Sequence, residues 1–510
     1  MTVTFVTKPA IAVGPIVQTA LDKTETPSCS KTPNEQTTAP KARNDLLPSF
    51  TVGMISLDTL VSAKNPVRKV SKWHVARVVR SIQKIGFFDP PILGKNLEII
   101  DGHVRIEAAR QLDLKEVPCV IADNLSADDV RILRIALNRI QERGEWDEQA
   151  LKLEFAYMLE FEADLSVTGF DPPEIDRILI LEDGDIGDKN PLDHIQTLPS
   201  PSASAVSRTG DLWILGRNRV LCGNARSAAD FEAVTNGLPI SAVFTDHPYN
   251  VSVNGHVRVN SGQFEEFAEA SGEMSDTGYE DFLRITIGNM TAVLKPGGIL
   301  FVCIDWRHVE VMARALRTLG LELINLCVWG KDKPGMGSLY RSQHELVLVA
   351  KRPGASHLNN VQLGSFGRNR SNLWRYAGAT GGRKAAEDDF SLHPTVKPVH
   401  MVRDAILDVT AIGDVVLDPF LGSGTTVLAA ELSHRICVAV EISPAYVDVA
   451  VARWERLTGL QAIHALSGLS FAQMRSQREL SGQADTGDPS SQSVLHDSRR
   501  PQEPSAYEDF

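Results

Sequence analysis

Asp414-Val415-Val416-Leu417-Asp418-Pro419-Phe420-Leu421-Gly422-Ser423-Gly424-Thr425-Thr426 is the stretch that decides the fold. Its apolar start, ending in Asp418, reads as a buried strand, and TTVLAAELS (425–433) reads as the helix that follows. Gly422 and Gly424 between them allow a tight turn and a close backbone approach to a ligand. The unpaired N–H groups at the start of such a helix suit an anionic group. The next strand, ICVAVEI (436–442), carries Glu441 at its end. That is about 20 residues on, the spacing at which a carboxylate accepts hydrogen bonds from ribose hydroxyls.

The alternation continues in the N-terminal direction. ISAVFTD (240–246), ILFVCID (299–305), LELINLCVWG (321–330) and HELVLVAKR (344–352) have strand character. Tyr279 to Leu294, closed by KPGG, reads as a helix, as do HVEVMARALRTLG (308–320) and KPVHMVRDAILDVT (397–410). Strands and helices in this order imply a mostly parallel sheet covered on both faces. The expected fold class is therefore α/β, a Rossmann-like, doubly wound, mostly parallel sheet over residues 210–465.

Ahead of it, residues 49–142 form a smaller α+β pattern. A strand, FTVGMISL, leads into the helix SKWHVARVVRSIQKIG, then PPILG, LEIIDGH, the helix VRIEAARQLDL, the strand VPCVIA and a helix from Ala127. Residues 143–209 read as an acidic helical segment and linker, with DPPE (171–174) fitting a helix start. Residues 1–48 and 466–510 are polar and aperiodic and read as disordered tails.

The net charge of −12 is located, not spread. Residues 142–194 hold 16 Asp/Glu against 4 Lys/Arg, which leaves the rest of the chain neutral. Residues 329–384 hold 10 Lys/Arg against 2 Asp/Glu. Phosphate binding answers to local basic surface, so the global acidity does not exclude nucleic acid. The six cysteines are scattered and no pair has metal-knuckle spacing, so reduced thiols and no bound metal are expected. No apolar run is long enough to span a membrane, and the N-terminus lacks the parts of a secretory signal, so a cytoplasmic protein is expected.

Asp246-His247-Pro248-Tyr249-Asn250 follows the strand ISAVF. Ligands in open α/β sheets lie outside the carboxyl ends of strands. An exocyclic aromatic amine is a poor nucleophile because its lone pair is delocalised into the ring. A carboxylate and a backbone carbonyl that accept its two hydrogens favour a pyramidal nitrogen with the lone pair free. A neighbouring aromatic ring can stack on a base drawn out of the duplex. Asp246, Pro248 and Tyr249 supply these groups as candidate catalytic residues.

Taken with the Asp418 loop, this element resembles the DNA amino-methyltransferases, in the circularly permuted order where the catalytic tetrapeptide precedes the cofactor loop. The resemblance runs through VLCGNARSAADFEAVTNGLPISAVFTDHPYN (220–250), WGKDKPGMGSLYRSQHE (329–345), HPTVKP (393–398) and LDPFLGSGTT (417–426). It implies S-adenosyl-L-methionine as cofactor, held by Asp418, Pro419, Phe420, Gly422, Gly424, Thr425, Glu441 and Lys397. It implies double-stranded DNA as partner, with a target-recognition region at about 329–384. There Lys331, Lys333, Arg341, Arg368, Arg370, Arg375 and Arg383 are interleaved with Tyr340, Phe366, Trp374 and Tyr376. The family's tetrapeptide is usually Asp-Pro-Pro-Tyr; this chain has His247 at its second place, and Asn224 where an Asp is common.

Ile99-Ile100-Asp101-Gly102-His103-Val104-Arg105-Ile106-Glu107-Ala108-Ala109-Arg110 resembles the second box of the ParB-like, sulfiredoxin-like domain, over residues 50–142. Val104 replaces an Arg of the nucleotide-binding pattern, and Leu137-Asn138-Arg139 lacks its Glu. A DNA-binding or docking module is the expectation. The reading as a whole favours methylation of the 6-amino group of adenine, since Asp at 246 is commoner in adenine enzymes. Cytosine 4-amino methylation, or a ParB-type DNA-binding protein with a decayed methylase half, remain as alternatives. A homodimer and a partner nuclease are left open.

Overall fold

The computed structural model describes residues 50–62, 69–141, 144–180, 205–250, 272–332, 334, 339–364, 368–376 and 397–485. The tail expected at 1–48 lies outside them, as do Lys333, Phe366 and Arg383.

The N-terminal module has a four-stranded sheet in the order β1-β4-β2-β3: β1 Thr51–Ser56, β2 Ile92–Leu93, β3 Ile99–Asp101 and β4 Glu116–Ile121. Helices α1 (Lys72–Ile85), α2 (His103–Gln111) and α3 (Ala127–Gln141) accompany it. Its small core joins Leu57, Leu93, Ile99, Ile106, Val117 and Cys119. Gly102 ends the strand-to-helix turn at φ 96°, and a Cβ there would lie 2.8 Å from Pro91, so the turn is open to glycine alone.

Two helices follow, α4 (Glu148–Glu160) and α5 (Pro172–Ile180). As DPPE suggested, α5 begins at Pro172, and the Glu174 carboxylate accepts from the Asp171 N–H at 2.6 Å. These helices enclose Phe155, Leu165, Ile175 and Ile178, against which Ile412 of the large module packs. The helices expected in this acidic segment are therefore present and docked, and its linker part lies mostly outside the described residues.

The large module is a ten-stranded mixed sheet, β11-β9-β10-β8-β7-β12-β13-β6-β5-β14. Its strands are β5 Leu212–Leu215, β6 Asn218–Cys222, β7 Ile240–Thr245, β8 Leu294–Ile304, β9 Glu322–Gly330, β10 His344–Lys351, β11 Leu373–Arg375, β12 Val415–Asp418, β13 Ile436–Glu441 and β14 Ile463–His464. The central run β8-β7-β12-β13-β6 is parallel, and β10 and β5 flank it antiparallel. In β12 and β13, Val416, Cys437 and Ala439 face one apolar cluster, while Val415, Leu417, Val438 and Val440 face the other. Both faces are thus buried, as parallel sheets require. Helices α9 (Val399–Val409), α10 (Thr425–Glu431) and α11 (Pro444–Thr458) cover the first face. Helices α6 (Ala228–Thr235), α7 (Asp276–Val293) and α8 (Val309–Thr318) cover the second.

Two expectations need correction. KPGG does not simply close a helix: Lys295 to Gly298 lie within β8, with a register irregularity opposite Ile240 to Ala242. Residues 471–485 are not tail but helix α12 (Phe471–Asp485). Phe471 and Met474 are buried one turn apart in the main core, and Arg478 binds Asp211. Burial of two such side chains contributes about 1.5–3 kcal/mol each. Among the described residues no helix is long and apolar enough to cross a membrane.

Candidate active site

Strands β7, β12 and β13 are neighbours, and all three point their carboxyl ends the same way. That register gathers Asp246, just past β7, with Asp418 and Glu441, the last residues of β12 and β13.

On the β12 side, Asp418 is buried and braces its own loop: Phe420 N–H donates to Oδ1 at 3.1 Å and the Thr426 hydroxyl to Oδ2 at 2.5 Å. Burial pushes its carboxyl up to about 7 against those two donors. Gly424, at φ 91°, lies against α11, where a Cβ would come within 2.8 Å of Ala450. Pro419 and Thr425 are buried, while Phe420 is only partly so. Glu441 accepts from Gly422 N–H at 2.7 Å and Ser443 N–H at 2.9 Å, and burial raises its pKa. Each oxygen keeps room for a further donor, as a ribose hydroxyl would be. Asn224, beyond β6, uses its Oδ1 to accept from Arg226 N–H at 2.8 Å.

On the β7 side, both oxygens of Asp246 are engaged. Tyr249 OH donates to Oδ1 at 2.6 Å and Lys397 Nζ to Oδ2 at 2.5 Å. Lys397 also lies 3.2 Å from Glu345 Oε2, and Lys331 Nζ donates to Glu345 Oε1 at 2.5 Å. Burial raises the pKa of Asp246 and the Lys397 charge opposes it. Burial acts on Glu345 in the same sense, but Lys397 and Lys331 hold it down at about 2. Burial works against the charge of Lys397, and Asp246 and Glu345 outweigh it, so the ammonium is held above its ordinary value. Tyr279 OH donates to the Pro248 carbonyl at 3.2 Å, and Asn250 pins the loop by accepting from Met274 N–H at 3.2 Å.

His247 is 3% exposed, its ring edge-on to Tyr249 at 5.7 Å and to Phe420 at 6.3 Å. It thus joins the β7 loop to the β12 loop. Burial, with the Lys397 and His308 charges, pushes its imidazole down to about 3. Among the described residues, its Nε2 and the neighbouring Thr245 Oγ1 have no hydrogen-bond partner.

The families agree with this geometry. Residues 240–452 match the DNA methylase family. The second half of the chain carries a DNA methylase domain. Residues 42–139 match the ParB N-terminal domain, and residues 149–209 match the ParB-methyltransferase HTH domain. The type II methyltransferase M2.DpnII of Streptococcus pneumoniae is 28% identical over 224 residues, which is 42% of this chain and 81% of that protein. M.HinfI of Haemophilus influenzae is 24% identical over 230 residues, 42% of this chain and 62% of that protein. Among solved structures, the cytosine-N4-specific PvuII DNA methyltransferase is 18% identical, covers 52% of this chain and 94% of that one, and has a TM-score of 0.36.

Within the methylase domain, several expected site residues stand elsewhere than the sequence suggested. Lys397 was expected with the cofactor loop but is bound to the Asp246 carboxylate. Lys331 is engaged by Glu345 instead of facing outward. Arg368 and Arg370 are tied to Asp404 and Asp408, one turn apart on α9, at 2.6–2.9 Å. Arg368 is 8% exposed, so these pairs belong to the fold and leave little charge for phosphate. Trp374 is buried, and Tyr376 donates to Asp404. Arg341, Arg375 and Tyr340 are exposed. Glu345 is the site residue that sequence reasoning missed. Its one signal was an acid placed directly before the apolar run LVLVA of HELVLVAKR.

Proposed function

We propose that this methylase domain moves a methyl group from S-adenosyl-L-methionine to the exocyclic amine of a base in double-stranded DNA, with the 6-amino group of adenine favoured over the 4-amino group of cytosine. The observation that carries the reading is the adjacency of two strand ends. Asp246, with Tyr249 beside it, stands just past β7, and the glycine loop and the buried Glu441 stand at the ends of the neighbouring strands β12 and β13.

The donor set fits the cofactor: Glu441 offers acceptor oxygens for ribose hydroxyls, and Gly422 presents no side chain to a ligand above the loop. Bound there, the cofactor supplies a methyl group on a sulfonium, already an electrophile. Asp246 accepts one amine hydrogen, the Pro248 carbonyl, which already takes the Tyr279 hydroxyl, has a second lone pair for the other, and Tyr249 stacks on the extruded base. The exposed Arg341 and Arg375 support DNA binding through phosphate or guanine contacts. Asp at 246 supports adenine as the target.

The test is Asp246→Ala. Its hydrogen bond strengthens as the nitrogen becomes tetrahedral and positive, so its loss falls on turnover. Transfer of labelled methyl groups to DNA should drop on the order of 100-fold or more. Cofactor affinity by calorimetry should stay nearly unchanged, since Asp246 lies on a different strand end from Glu441. Full activity in the variant would refute the assignment, and the position of the label on the purine or pyrimidine decides the base.

A further inference from the structure

Asp246, Tyr249, Glu345 and Lys397 close a ring. Tyr249 OH donates to Asp246 Oδ1 and lies 3.5 Å from Glu345 Oε2. Lys397 Nζ joins Glu345 Oε2 back to Asp246 Oδ2. Asp246 therefore has no oxygen free of a protein donor. Each oxygen can take one more donor, but while Lys397 stays on Oδ2 it holds the carboxylate's charge, so an arriving amine gains the full attraction of Asp246 only when Lys397 leaves.

Lys397 can leave without becoming a bare buried ammonium, because Glu345 is already within 3.2 Å. At 5% exposure, an unpaired ammonium would be strongly disfavoured. The Trp329 ring lies beneath both lysines, 4.8 Å from Lys331 Nζ and 5.9 Å from Lys397 Nζ, and supports the cations in either position. Charge balance points the same way. Lys331 and Lys397 face two carboxylates, while the Cys303 thiol and the His247 imidazole beside them are kept neutral by burial. With Glu345 neutral, two ammonium groups would face one carboxylate, and positive charge growing on the attacking nitrogen would be repelled.

We propose that Glu345 is a positioning residue of methyl transfer, receiving Lys397 when the target amine takes its place on Asp246. This rests on the reading above, in which Asp246 accepts the amine.

The experiment uses the full chain, labelled S-adenosyl-L-methionine and unmethylated DNA. Glu345→Gln keeps shape and removes charge, so Lys397 stays on Asp246. Its kcat should fall about 100-fold, with KM for DNA and cofactor affinity within about 3-fold of wild type. Glu345→Asp, which keeps the charge, should fall between the two. Adding Lys397→Met to Glu345→Gln frees Asp246 and restores a neutral pair with Lys331. This double variant should be at least about 10-fold faster than Glu345→Gln alone. A merely structural Glu345 would show no such rescue, since a second buried change adds damage. Wild-type kcat in Glu345→Gln, or a double variant no faster than it, overturns the proposal. Retained activity in Asp246→Ala would instead overturn the underlying reading, whatever Glu345 does.

Discussion

His247 stands where the related tetrapeptides carry proline, and its surroundings say what that exchange does. The ring fills space between Tyr249 and Phe420 and is kept neutral, with a pKa of about 3 against an ordinary 6.5. As pH falls below 6.5, the unfolded chain takes up a proton that the folded chain refuses until about 3. The folded state therefore loses stability through that window, by up to about 1.4 kcal/mol per unit. Between pH 7 and 5 the wild-type chain should lose about 1–2 kcal/mol more than His247→Gln, measured by urea unfolding. Equal losses would mean that the folded imidazole takes the proton. The contact of Tyr249 with Asp246 was legible because they are three residues apart and follow an apolar strand. The pairing of Lys397 with Asp246 was not, because 151 residues separate them. The arginines 368 and 370 were misread for a related reason: their partners Asp404 and Asp408 look, in sequence, like the polar stripe of a solvated helix.

Strands were the most legible elements, since a parallel sheet buried on both faces writes itself as runs such as DVVLD and ICVAVE. Helix α12 was hidden because SFAQMRSQREL has only three large apolar residues, Phe471, Met474 and Leu480, and just the first two are buried. The order of strands at the sheet edges was equally out of reach, for it depends on pairings such as β5 with β14 across 250 residues of chain. The turn between β12 and α10 was legible in both glycines, and its partner at the end of β13 in its spacing. A prediction belongs to that pair of elements. Glu441 ties β13 to the loop through the Gly422 N–H and also offers acceptors to a ribose. Glu441→Ala should weaken cofactor binding by roughly 1.5–3 kcal/mol, as for a hydrogen bond to a charged group. Calorimetry with S-adenosyl-L-methionine that shows unchanged affinity would remove Glu441 from the site.

Across the whole molecule, the acidic segment that sets the net charge acts as a docked bridge between the modules. Asp171 holds Arg77 of the ParB-like module, and Arg77 also donates to the Gly169 carbonyl. Asp176 receives Arg435 of the methylase domain through two bonds of 2.7 and 2.9 Å, both side chains being 0% exposed. Arg435 also donates to the Thr410 and Ser433 carbonyls. The helices here were legible in the sequence, DPPE marking the start of α5, but composition counts charge and cannot see which charges are spent inward. A buried pair is weak evidence of net stabilisation, yet removing one partner strands the other in a dry interface. Arg435→Met should therefore cost about 3–5 kcal/mol, read as a lower urea midpoint of the full chain. If the bridge undocks before the methylase domain melts, the loss will appear as an early separate transition monitored by Trp146, which stacks edge-on to Phe170 in the helical segment. Asp176→Leu combined with Arg435→Met removes both charges and should recover most of the loss, since an apolar pair of similar volume satisfies the same interface. A single variant within about 0.5 kcal/mol of wild type would show that Asp176 remains solvated and that the two modules are joined by chain alone.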